Sequence, residues 1–318
     1  MTKKTAGSPG NAARTRGRVA NSSVRTLPRT ALALGFLLLI LVVIGLIFFS
    51  RAGRSSAPRV GVLETSDFHA LAFSPENPNV VFFGHHNGIM RSDDGGRTWT
   101  ALVDRPNFDA MGLVVSRANA RQIYIAGHNV FQVSADGGAS WQPVAHNLPG
   151  TDIHGFTMSP DNSNRLYAFV AGQGGFQSAD SGRTWQPFSG ALPQDVMGLA
   201  AASGDPPTLY ANSMSQGVLR SADAGQSWIS VTNGPSNVFT LAVDPSARET
   251  IYAGGDSGLY KSIDGGATWS KLPFPAANVV TLAISPAQSN VVLAVSVQGQ
   301  QGLVYRSEDG GHSWGKQQ

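Results

Sequence analysis

Cysteine is absent from all 318 residues. That excludes disulfides, thiolate metal sites, cysteine nucleophiles and lipid attachment through an N-terminal cysteine. Charge is also sparse, at 14% of the chain. Beyond residue 60 glutamate is reduced to Glu64, Glu76, Glu249 and Glu308. No segment past the N-terminal region carries ten residues of 3.6 periodicity, so an array of paired helices does not fit. Tryptophan occurs six times only, always in the same surroundings.

Those surroundings are a nine-residue repeat. The copies read RSDDGGRTW (91–99), VSADGGASW (133–141), QSADSGRTW (177–185), RSADAGQSW (220–228), KSIDGGATW (261–269) and RSEDGGHSW (306–314). Successive tryptophans stand 42, 44, 43, 41 and 45 residues apart, the mark of a stacked array. Around each copy lie short apolar or β-branched segments bounded by Gly, Pro, Asn, Asp or Ser. In the fifth unit these are VFTLAVDP, TIYAGG, GLYKS and WSKL. Four strands per unit predict an all-β, six-bladed propeller of four-stranded antiparallel blades over 60–318.

Within each nonapeptide the Ser and Asp are expected to accept backbone amides of a tight turn between the third and fourth strands. The invariant second glycine is expected at positive φ, and the tryptophan to cover the turn. The sets are Ser92, Asp94, Gly96 and Trp99; Ser134, Asp136, Gly138 and Trp141; and Ser178, Asp180, Gly182 and Trp185. They continue as Ser221, Asp223, Gly225 and Trp228; Ser262, Asp264, Gly266 and Trp269; and Ser307, Asp309, Gly311 and Trp314. Six copies of one set argue for a structural role over six ligand sites.

The pattern S-x-D-x-G-x-T/S-W resembles the Asp-box, or bacterial neuraminidase repeat, of sialidases, xyloglucanase-like glycoside hydrolases, sortilin-type receptors and photosystem-assembly propellers. The resemblance covers about residues 66–318 and implies a propeller whose ligand face lies opposite these turns. Sialidase chemistry does not carry over. The family's three substrate-binding arginines and Tyr–Glu pair have no counterparts here. Arg91, Arg220 and Arg306 precede the turns, and Arg117, Arg121, Arg165 and Arg248 fall on the same wrong face. Only Arg105 is on the right one, and Tyr124, Tyr167, Tyr210 and Tyr252 share a core column.

On the opposite face one column precedes the inner strands: Asp67, Asp109, Asp152, Asp195, Asn237 and Asn278. Two residues on come His69, Met111, His154, Met197, Phe239 and Val280, and His85, His86 and His128 fall between second and third strands. The four Asp are the candidates for acid–base catalysis; the His and Asn residues are candidates for ligand binding. The competing reading is a turn cap at each Asp or Asn. Imidazoles among carboxylates can bind a transition metal, yet no short ligand spacing is present, so no metal or cofactor is assigned. A module binding a protein or glycan is expected; the alternative is a glycoside hydrolase using Asp carboxylates. Short loops and fully committed tryptophans count against the hydrolase.

The N-terminal part is different. Residues 1–59 hold ten Lys or Arg and no acid, against 13 basic and 20 acidic residues beyond, so the high pI reports the tail and no nucleic-acid partner is expected. An uncharged run at 31–49 would span about 28 Å as a helix, near the bilayer core of roughly 30 Å. A tail over 1–30, a transmembrane helix over 31–50 and a linker over 51–59 are therefore predicted, with cleavage as a signal peptide the rival. Seven basic residues before the run against three after it predict a single pass, with the N-terminus cytoplasmic and the propeller outside. The stretch Val60 to Leu63 is expected to pair into the last blade and join the two ends, while that blade's own fourth strand would start at Ser313.

Overall fold

The computed structural model describes residues 58–65, 67–188 and 190–315. The predicted tail, membrane helix and most of the linker lie outside them. Among the described residues no helix is long and apolar enough to cross a membrane.

Among the described residues twenty-four strands form six separate four-stranded antiparallel sheets. The opening strand β1 (Gly61–Glu64) belongs to the last sheet. The first blade is β2 (Ala70–Phe73), β3 (Val81–His85), β4 (Gly88–Ser92) and β5 (Thr100–Asp104). The second is β6 (Gly112–Val115), β7 (Ile123–Gly127), β8 (Val130–Ser134) and β9 (Gln142–Pro143). The third is β10 (Ile153–Met158), β11 (Leu166–Val170), β12 (Gly174–Ser178) and β13 (Gln186–Pro187). The fourth is β14 (Val196–Ala201), β15 (Leu209–Ser213), β16 (Gly217–Ser221) and β17 (Ile229–Ser230). The fifth is β18 (Val238–Val243), β19 (Ile251–Gly255), β20 (Gly258–Ser262) and β21 (Ser270–Lys271). The sixth is β22 (Val279–Ile284), β23 (Val292–Gln298) and β24 (Gln301–Ser307), completed by β1.

Burial explains the layering. The second strands are buried at every position in five blades, because neighbouring blades cover both their faces. Hence their largely apolar sequences, and hence the burial of Tyr124, Tyr167, Tyr210 and Tyr252. The core lies between blades: Phe82 and Ile89 of the first pack on Phe108, Leu113 and Ile125 of the second. Outer strands are two exposed residues long in four blades, a short and polar edge that offers little to a pairing partner.

The ring closes through β1, whose register on β24 runs from Gly61↔Val304 to Glu64↔Gln301. Its Leu63 packs with Leu293, Val295 and Val304 of the sixth blade and with Leu71, Val81 and Phe83 of the first. The expected strand from Ser313 is corrected: residues 313–315 form none, and β1 takes the outermost place. Buried Arg306 adds a second clasp, donating from Nη1 to Pro78 O (2.8 Å) and from Nη2 to Asn79 Oδ1 (3.4 Å) in the first blade.

All six nonapeptides adopt one turn. In the first, Gly96 N donates to Ser92 Oγ (2.8 Å), and Ser92 Oγ donates to Asp94 Oδ1 (2.8 Å). Thr98 donates to Asp94 from its amide (2.9 Å) and its hydroxyl (2.6 Å). Gly96, Gly138, Gly182, Gly225, Gly266 and Gly311 all sit at φ between 85° and 95°, where only glycine is unstrained. Five tryptophans donate Nε1 to that glycine's carbonyl, as Trp269 does to Gly266 O (3.0 Å). Trp228 does not: Gly225 O accepts Gly190 N (3.1 Å), and the buried Trp228 Nε1 makes no hydrogen bond.

Candidate functional site

Antiparallel alternation puts the starts of the first strands and the connections from second to third strands on the face opposite these turns. Six first strands line a central channel of about 260 Å³. His69, Met111, His154, Met197 and Phe239 line it towards this face, and Arg117 lies at the far end, where it donates to Pro245 O (3.4 Å).

Three adjacent blades join Asp67, His69, His86, Asp109, His128, Asp152 and His154 into one arc. Asp67 grips His86 twice, accepting its backbone N at Oδ1 (2.7 Å) and facing its Nδ1 with Oδ2 (2.8 Å). The other ring nitrogen, His86 Nε2, stands 3.9 Å from Asp109 Oδ2. Asp109 accepts His128 N (3.2 Å) and binds His128 Nδ1 with the same oxygen. His128 Nε2 in turn lies 3.2 Å from Asp152 Oδ1, and His154 Nε2 lies 3.0 Å from that atom. His69 reaches Asp67 Oδ1 at 3.5 Å and Asp109 Oδ1 at 3.8 Å, its ring edge-on to His86 with centroids 4.4 Å apart.

Burial is uneven along the arc. Asp109 is 3% exposed, yet its Oδ1 makes no hydrogen bond, and neither does the buried His69 Nε2. Burial, then the neighbouring His86, lowers the pKa of His69 against the pull of Asp109 and Asp67, so its neutral form dominates near pH 7. The rings of His86 and His128 stay 46% and 43% exposed, open to whatever approaches the mouth.

The remaining candidates fall elsewhere. His85 is corrected: it ends β3, not a loop, and is buried with its ring stacked on Phe83 and its Nδ1 accepting Asn87 N (3.3 Å). Asp195 accepts Ser213 Oγ (2.5 Å) and Ser215 N (2.7 Å), and the Ser213 hydroxyl leads in lowering its pKa. Asn237 and Asn278 are left-handed turn residues at φ 50° and 53°, and Asn237 Nδ2 donates to Asp256 Oδ2 (2.7 Å). Asp67, Asp109 and Asp195 do accept backbone amides, but from the connection between second and third strands of the blade, 19 or 20 residues along the chain, and not from the turns they stand in.

The first residue of that connection is a column in its own right: His86, His128, Ala171, Met214 and Asp256. It would have signalled Met214 and Asp256, which the leading column alone does not. Met214 is 45% exposed and shares the fourth blade's end of this face with Met197, 37% exposed.

The profile of the family described as "Sortilin, neurotensin receptor 3" matches residues 216–318, about a third of the chain. No curated protein matches by sequence. Among solved structures, the xyloglucanase of Xanthomonas campestris is similar at 16% identity and a TM-score of 0.54, over 80% of this chain and 53% of that one. The related enzyme of Niastella koreensis gives 20%, 0.54, 78% and 46% in the same terms. The chain therefore spans about half the length of these enzymes. A structure of YCF48 bound to D1 peptide is similar at 17% identity and a TM-score of 0.51, covering 80% of this chain and 84% of that one. The fold that the repeat implies holds: the chain is a six-bladed propeller similar in fold to these xyloglucanases and to YCF48, and its last third matches the sortilin profile.

Proposed function

We propose that the chain is a single-pass membrane protein whose propeller, outside the cytoplasm, binds a protein ligand on the face opposite the nonapeptide (Asp-box) turns. The arc of four histidines and three aspartates carries this reading. It is confined to three of six otherwise repeated blades and opens towards solvent, as a binding site does and a repeated staple does not. Exposed Met197 and Met214 extend the same face with adaptable apolar surface. A glycan ligand is served less well, because all six tryptophans sit at the opposite turns. YCF48, a propeller of similar architecture, is known with a bound peptide, which supports a protein ligand here. Anchoring rests on the 19-residue uncharged run and its basic flanks.

The hydrolase alternative finds its four carboxylates engaged: Asp67, Asp109 and Asp152 by imidazoles, Asp195 by two serines. A photo-crosslinking residue at Met214, compared with one at Ile263 in a turn of the other face, tests the binding reading in membranes. Adducts from Met214 alone are expected; equal labelling from both would overturn it. Retention of the chain in the membrane after alkaline carbonate washing tests the anchor. Turnover of glucan oligosaccharides, lost in Asp109→Asn or Asp152→Asn, would establish the hydrolase instead.

A further inference from the structure

We infer that His86, Asp109 and His128 form a binding site for one imidazole-preferring divalent ion of the zinc class. Their ligand atoms lie within 4.8 Å of one another. The arrangement around them is what distinguishes a ligand set from a chance cluster. Each histidine turns one nitrogen inward to Asp109 and the other outward to a flanking carboxylate. For His86 the outward pair is Nδ1 with Asp67 (2.8 Å); for His128 it is Nε2 with Asp152 (3.2 Å). A carboxylate behind an imidazole fixes which nitrogen carries the proton and raises the basicity of the other, the usual outer shell of a metal-bound histidine. Here that pattern occurs twice, with the two inner nitrogens aimed at one buried carboxylate.

The second observation is Asp109 itself. It is 3% exposed and, among the described residues, faces only imidazoles as ion-pair partners, yet its Oδ1 makes no hydrogen bond. A buried carboxylate oxygen without a partner is destabilising, and a bound cation removes that cost. His86 Nε2 stands 3.9 Å from Asp109 Oδ2, too far to hydrogen-bond. Ligand atoms about 2.1 Å from one tetrahedral ion stand roughly 3.4 Å apart, so on binding His86 Nε2 closes slightly on Asp109, and His128 Nδ1 exchanges its hydrogen bond to Oδ2 for the ion. His69 Nε2, 3.8 Å from Asp109 Oδ1 and likewise unbonded, is placed to add a fourth donor. Two or three imidazoles with one carboxylate suit zinc, nickel or copper better than calcium or magnesium. His86, Asp109 and His128 lie on three separate connections of two blades, which is why no short spacing announces them.

The full-length protein, purified in mild detergent and stripped with a chelator, is titrated with Co²⁺ followed by its visible absorption, and with Zn²⁺ in competition against a chromophoric chelator. One saturable equivalent is expected. His86→Gln and His128→Gln, on exposed connections that tolerate substitution, should each weaken Zn²⁺ by at least about tenfold. Asp67→Asn and Asp152→Asn should weaken it by about 10–100-fold as outer-shell partners do. His312→Gln, on the opposite face, should leave it unchanged, and circular dichroism confirms that each variant is folded. Absence of saturable binding up to millimolar metal overturns the site. So does unchanged affinity in both His86→Gln and His128→Gln.

Discussion

At the scale of single residues, the turns are held by bonds that can be removed one at a time. Ser262 is 1% exposed, and its Oγ accepts Gly266 N (2.9 Å) while donating to Asp264 (2.7 Å). Ser262→Ala leaves a buried amide without an acceptor, so stability to urea should fall by about 1–3 kcal/mol. The tryptophans give a sharper comparison, because one of the six lacks the bond the others make. Trp269→Phe and Trp228→Phe remove similar volume, but only Trp269 Nε1 has an acceptor to lose. Trp269→Phe should therefore cost more than Trp228→Phe, by about 1 kcal/mol in denaturant midpoints converted at constant m. Equal costs would mean that the indole's role is packing alone.

At the scale of strands, β1 decides whether the ring is shut. Leu63 is fully buried between the last blade and the first, and both adjoining sheets lose packing if it is cut back. Leu63→Ala should lower stability by about 2–5 kcal/mol. Hydrogen exchange should show the loss first in β1, β24 and β2, since local opening begins where contacts have been removed. Strand order, period and turn positions were legible in the sequence because each unit repeats the same local chemistry. The outermost place of β1 was only partly so: Val60 to Leu63 reads as an orphan apolar stretch, but a lone stretch does not say which edge it fills. The shortness of the outer strands was not legible, because Gln142–Pro143 and Gln186–Pro187 are set by where the next blade turns away. His85 was misplaced by one position for a similar reason. Pairing of His85 with Gly88 extends β3 to the tip of its hairpin.

At the scale of the whole molecule, the two faces divide the labour between repetition and exception. The candidate site was legible as columns, since Asp67, Asp109 and Asp152 share one repeat position, but its connectivity was not. His128 reaches Asp152 only because β10 stands beside the second blade, a proximity that exists once the ring has formed. The repeated face has a collective consequence in acid. Hydroxyl and amide donors hold Asp180, Asp223 and Asp264 at about 2, led by Thr184, Ser227 and Thr268 respectively. At Asp94 and Asp309 burial works the other way, yet the bonds from Thr98 and Ser313 still bring both to about 2. Asp136 is lowered as well, chiefly by the Ser140 hydroxyl. An unfolded aspartate titrates near 3.9, so between about pH 4 and pH 2 the unfolded chain binds more protons than the folded one. Stability from these bonds is fully present above about pH 4 and is lost as pH falls towards 2, six turns titrating together. Melting temperature should therefore drop steeply across that window. Thr268→Val removes the leading donor to Asp264 and brings its folded pKa nearer the unfolded one, so it should lower the melting temperature above pH 4 and make the drop below it shallower than in the parent chain. A melting temperature that stays level down to pH 2 would mean that the turns hold without their charged aspartates, and that the glycines and tryptophans alone set the blade ends.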